Sequence, residues 1–112
     1  MRAISISQPG GPEVLQTIEL EQPVPGPGQL LIKVAAAGVN RADVVQRMGF
    51  YPPPPGAPDT PGLEVAGEVE AIGEGVSQWS VGDRVCALLG GGGYAEYALA
   101  NAAECLPVPA NV

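Results

Sequence analysis

Sixteen glycines and thirteen prolines make up about a quarter of the 112 residues, and their placement constrains the fold more than any other feature. In a polar tract such a share would suit a disordered chain. Here the breakers stand between apolar runs and the mean hydropathy is +0.16, so they read as turns in a loop-rich β fold. A chain of this length suits one domain able to bury well over half its surface.

Between the breakers the apolar residues keep a period of two. Arg2 to Ser7 alternates Ile4 and Ile6 with small or polar residues, a strand signature. Pro9-Gly10-Gly11-Pro12 ends it, and Val14, Ile18 and Leu20 then share one parity. Pro23, Pro25 and Pro27 make Glu21 to Gly28 an extended connection that cannot donate regular ladder bonds. Gln29 to Ala37 follows as the strongest strand, with Leu30, Ile32, Val34 and Ala36 on one face and Lys33 on the other.

The period then changes. Ala42, Val45 and Met48 are spaced by three, which predicts a short helix over 41–48 with Asn40 at the N-cap, Asp43 at the third position and Gly49 at the stop. Asp43 and Arg47 are spaced as an i, i+4 ion pair. A rigid loop from Pro52 to Pro61, with four consecutive prolines, leads into a strand over 63–72. Val65, Val69 and Ala71 form its buried parity there. Trp79 anchors the next loop, Val85 to Leu89 reads as a central strand, and Tyr94 to Ala100 alternates again. The tail over 106–109 is extended. About six short strands and one short helix predict a mainly β, barrel-like domain.

Composition removes several functions. The formal net charge is −7, and the five basic residues are scattered, so nucleic acid and anionic membrane surfaces have no footprint. No stretch has the length of a membrane span, and the N-terminus lacks the pattern of a signal peptide. Cys86 and Cys105 match no zinc or redox spacing, which suits reduced thiols in a cytoplasmic protein. There is no histidine. That excludes a Ser-His-Asp triad, a Cys-His pair and any His-ligated metal.

Two apparent motifs carry nothing. Gly90 to Ala95 satisfies the letters of the dinucleotide fingerprint, but strand alternation follows where a helix must begin, so a tight hairpin loop is expected. Glu64, Glu68 and Glu70 share a strand face and read as solvated carboxylates rather than a metal site.

Three blocks carry a resemblance: Ala37-Gly38-Val39-Asn40-Arg41-Ala42-Asp43, Pro61-Gly62-Leu63-Glu64-Val65-Ala66-Gly67 and Gly82-Asp83-Arg84-Val85. In this order and spacing they resemble the N-terminal domain of the medium-chain dehydrogenase/reductases. Pro9 to Leu15, together with Asn40 to Asp43, narrows the likeness to the zinc-independent quinone oxidoreductases. Gln46-Arg47, Tyr51 to Gly56 and Leu88 to Gly92 are most similar to the p53-inducible type of NADPH:quinone reductase. The resemblance covers nearly the whole chain.

It implies a GroES-like, partly open β-barrel over residues 1–112, the substrate-side domain of a reductase. The Rossmann cofactor domain would lie beyond this chain, and residues 1–112 alone would be inactive. Hydride would pass from NADPH, bound mainly by that other domain, to a quinone or related small carbonyl in a cleft between the two, and the full-length enzyme would be a homodimer. In zinc-dependent relatives cysteine stands at the position of Asn40 and histidine at that of Leu63, and a four-cysteine zinc loop would interrupt Leu89 to Tyr94. An amide and an alkyl chain replace the first two here and four glycines the third, so no zinc is expected.

Carried over by position, Asn40, Asp43 and Tyr51 would line the cleft, with Leu63 as apolar wall and Tyr51 the candidate catalytic residue. An amide and a phenol can hydrogen-bond a quinone oxygen as charge develops on it. Plainer roles stand beside these: Asn40 as a cap, Asp43 as a first-turn acid, Tyr51 as a packing residue and Arg41 as a solvated one. Two other functions stay open: a free-standing GroES-like binding module of the co-chaperonin kind, and an enoyl or alkenal reductase of the same superfamily.

Overall fold

A computed structural model describes all of residues 1–112. It contains seven strands and one α-helix: β1 (Arg2–Ile6), β2 (Leu15–Glu19), β3 (Gln29–Ala37), α1 (Arg41–Arg47), β4 (Glu64–Ile72), β5 (Arg84–Leu88), β6 (Tyr97–Asn101) and β7 (Cys105–Pro107). Short 3-10 turns occupy Pro12–Val14 and Ala102–Glu104. β1 and β2 form an antiparallel hairpin, and the other five strands form an antiparallel sheet in the order β6-β3-β4-β5-β7. That sheet does not close, so the mainly β, partly open barrel expected from the sequence is what forms.

The core sits where the central strands curl. Leu30 and Ile32 of β3, Val65 and Val69 of β4, Val85 and Ala87 of β5, and Ala100, Ala102 and Cys105 make one buried cluster. Trp79 packs against it and donates its indole N–H to the Ala102 carbonyl at 3.2 Å, anchoring its loop as expected. Along β4 the glutamates 64, 68 and 70 are exposed while Val65, Gly67 and Val69 are buried, the solvated face the alternation predicts.

Register irregularities bend the sheet. The β3–β4 pairing slips between Leu31 and Ile32 and again between Val34 and Ala36, as a bulge does when it adds twist. The second slip shifts the phase of β3. Ala36, expected on the buried face, is therefore exposed, while Ala37 packs against the core. Gly67 lies opposite Val34 where β4 crosses β3 so closely that a side-chain carbon there would collide with the Lys33 carbonyl.

The glycine run corrects the sequence reading. β5 and β6 are not neighbours: β3 and β4 lie between them. Gly90 to Gly93 is therefore a crossover rather than a hairpin loop. Its backbone pairs with the end of the proline-rich loop instead, through Gly92 N–H to the Thr60 carbonyl at 2.7 Å, Gly93 N–H to Gly62 at 3.0 Å and Tyr94 N–H to Pro61 at 3.0 Å. Alternation cannot distinguish the two cases, because it reports which face a residue takes and not which strand lies beside it.

Candidate functional site

Helix α1 organises the site, and local sequence explains why it forms where it does. Asn40 has extended backbone (φ −123°, ψ 156°) and caps the helix. It shares a capping box with Asp43, whose Oδ2 accepts the Asn40 N–H at 2.8 Å. At the other end Gly49, at φ +91°, takes the left-handed conformation that stops the helix.

Asp43 is only 7% exposed. It does not pair with Arg47 as the i, i+4 spacing suggested. Arg47 Nε donates to the Gly10 carbonyl at 3.0 Å, and the Gly10 N–H returns a bond to the Arg47 carbonyl at 3.0 Å. The partner of Asp43 is Tyr94, whose hydroxyl donates to Oδ2 at 2.5 Å and lies 3.3 Å from the Gly38 carbonyl. Burial, the bond to Asp43 and the negative charges of Asp43 and Glu64 all raise the Tyr94 pKa far above the usual phenol value, so the ring stays protonated. Asp43 Oδ1 is buried without a partner.

The Asn40 carboxamide donates to Glu64 Oε1 at 3.3 Å across the start of β4. Leu63, half-buried, precedes Glu64, and its carbonyl accepts the Leu89 N–H at 2.8 Å. Asn40, Asp43 and the Leu63–Glu64 corner thus meet at the mouth of α1. Arg41 is exposed, as a solvated helix residue should be.

Tyr51 stands apart from these three. It lies beyond the far end of α1, which at 1.5 Å per residue is about 10 Å long. There, half-buried, it lines a groove of about 700 Å³ with Gln46, Gly49, Pro52 and Pro53 on one side and Ile6, Ile18 and Leu20 of the N-terminal hairpin on another. No hydrogen bond within the chain engages its hydroxyl. Sequence reasoning missed Tyr94 and the hairpin wall of this groove. Tyr94 sits just after the glycine run, 51 residues from Asp43, a separation at which no local spacing rule operates.

No group of three or more His, Cys, Asp or Glu side chains converges as metal ligands would. The donors at the mouth of α1 are one carboxamide and two carboxylates, one of them already holding a phenol. The glycine run opens no helix, and the N–H groups of Gly92, Gly93 and Tyr94 are spent on protein carbonyls. The glycine run therefore does not fit a dinucleotide pyrophosphate, which needs free N–H groups at a helix start. No helix is long and apolar enough to cross a membrane.

Residues 26–110 match the alcohol dehydrogenase GroES-like domain. The chain is 53% identical over 102 residues to a quinone oxidoreductase of Lama guanicoe, covering 89% of this chain and 31% of that protein. Against the quinone oxidoreductase of Rattus norvegicus it is 46% identical over 111 residues, covering 97% of this chain and 34% of that one. Among solved structures it superposes on an Escherichia coli quinone oxidoreductase complexed with NADPH with a TM-score of 0.91, at 34% identity, over 100% of this chain and 34% of that one. A human synaptic vesicle membrane protein VAT-1 homolog-like protein gives 0.92 at 34% identity, over 99% of this chain and 35% of that one. The chain spans about a third of the length of the curated relatives it matches.

Proposed function

Because the chain belongs to the alcohol dehydrogenase GroES-like domain family, we propose that it forms the substrate side of an NADPH-dependent quinone oxidoreductase that works without zinc in the cytoplasm. Its likeness to quinone oxidoreductases over nearly its whole length supports the substrate class. The observation that carries the site is Tyr51, a phenol with an unengaged hydroxyl on the wall of an open groove. In this reading NADPH, held mainly outside residues 1–112, supplies the hydride, and the full-length enzyme is a homodimer.

This chain's own part is to bind and polarise. The Tyr51 hydroxyl and, from the other end of α1, the Asn40 carboxamide donate to different oxygens of the quinone, and such donors count most as negative charge builds on those oxygens. Leu63 and the prolines exclude water from the reacting face, which strengthens each of those bonds. Asp43 serves as a ligand-side residue by holding the N-terminus of α1. A carboxamide and an alkyl chain at positions 40 and 63 favour hydrogen bonding over Lewis-acid polarisation.

The test is turnover of a benzoquinone with NADPH by the protein that carries this chain. Tyr51→Phe keeps the ring and removes one hydrogen bond to a developing charge. It is expected to lower kcat/KM about tenfold to hundredfold at unchanged melting temperature. Equal kcat/KM makes Tyr51 a packing residue. About one zinc per chain retained after dialysis overturns the metal-free reading.

A further inference from the structure

Two hydrogen bonds converge on one carboxylate oxygen of the buried Asp43. Its Oδ2 accepts the Tyr94 hydroxyl at 2.5 Å and the Asn40 N–H at 2.8 Å, and the phenol also lies 3.3 Å from the Gly38 carbonyl. Tyr94 reaches this point from a fixed support. Its N–H donates to Pro61 at 3.0 Å, and its carbonyl accepts the Ile4 N–H at 2.9 Å, which ties it to the proline loop and to β1.

We propose that Tyr94 is a positioning residue: through Asp43 it fixes the backbone at Asn40 and so sets the direction in which the Asn40 carboxamide meets a substrate oxygen. The inference rests on the reading of Asn40 given under the proposed function. Two features of the site argue for it. Asp43 Oδ1 has no partner, so the carboxylate is oriented only by what binds Oδ2. Without the phenol one N–H remains, and the group turns about that single bond. Asn40, in turn, is the residue at which extended chain becomes helix, so a small rotation there swings its side chain. Beyond the capping box its side chain reaches one partner, the exposed Glu64, at 3.3 Å, a long bond that adds little restraint on the amide.

Tyr94→Phe tests this, with Tyr97→Phe as a control that removes a phenol hydroxyl elsewhere. By amide hydrogen exchange on this chain, Tyr94→Phe is expected to speed exchange at Asn40 about tenfold to hundredfold, the range for one hydrogen bond to a charged group. The sheet amides of Ile32 and Val69 keep their rates, and Tyr97→Phe changes neither. In the protein assayed for quinone reduction, Tyr94→Phe lowers kcat about tenfold with little change in KM, and it costs nothing further in an Asp43→Asn background. Unchanged exchange at Asn40, uniform acceleration across the sheet, or failure of Tyr94→Phe to fold each makes Tyr94 a structural prop and overturns the proposal. If the wild-type protein reduces no quinone, the proposed function falls, while the exchange result still decides whether Tyr94 holds Asn40.

Discussion

The curled sheet and the layer that carries α1, the proline loop and the glycine run are held by different atoms. In the sheet, aliphatic side chains from β3, β4 and β5 meet in one cluster, and Leu30, Ile32 and Val85 are fully buried. In the layer, main chain meets main chain. Gly62 and Gly93 approach so closely that a side-chain carbon on Gly62 would lie 2.6 Å from the Tyr94 nitrogen. A core made of side chains loses stability in proportion to the atoms removed. A contact made of backbone loses it as soon as one atom is added. That second kind of contact carries the support of Tyr94, whose side chain then holds the mouth of α1 through Asp43.

The sharpest test of this contrast adds one methyl group. Gly62 has φ +109°, where an L-residue is strained, and Gly62→Ala also drives a carbon into the glycine run. We expect a loss of about 3 kcal/mol or more in urea unfolding. Val69→Ala removes two methyl groups from the middle of the core and should cost about 2 kcal/mol. If Gly62→Ala proves the milder of the two, the contrast between the regions is broken.

Smaller effects refine it. Arg47→Ala deletes the guanidinium bond to Gly10 that docks α1 on the turn after β1, and should cost about 1 kcal/mol in the same assay. Added salt should leave that difference unchanged, since the acceptor is a carbonyl and not Asp43. The smallest expected effect is alkaline. The folded Tyr94 holds its proton more tightly than the unfolded chain does, so its contribution is complete below the ordinary phenol value of 10.0 and is lost as pH rises above it. The buried Cys105 thiol, raised above 9.0 chiefly by burial, acts in the same direction. Urea titrations above pH 10 should show stability falling less steeply in Tyr94→Phe than in wild type; equal slopes would remove the Tyr94 term.

Much of this architecture was legible one segment at a time. β3 begins and ends where alternation placed it, and Asn40, Asp43 and Gly49 mark α1 as capping chemistry requires. The exposed glutamates of β4 follow from parity alone. The site was legible only in part. Asn40 and Asp43 do meet, with Asn40 also bonded to Glu64 beside Leu63, but Tyr51 stands beyond the other end of α1, and the phenol that touches Asp43 is Tyr94. The expected Asp43–Arg47 pair gave way because each side chain found a partner outside the helix, where burial makes a bond worth more than an exposed ion pair.

Amino-acid order by itself therefore determined the quantities that depend on neighbours in the chain: strand parity, the helix start and stop, the places where turns must fall, and the residue types available for chemistry. Only tertiary structure decided which strands lie side by side, where the bulge after Val34 shifts the phase of β3, and why four glycines stand in a row. Those glycines make no turn between adjacent strands; they let one stretch of main chain lie against Thr60 to Gly62. The physical reason is common to all three. Each depends on contacts between residues far apart in the chain, and the pattern within a segment carries the face a side chain takes but not the identity of what it meets.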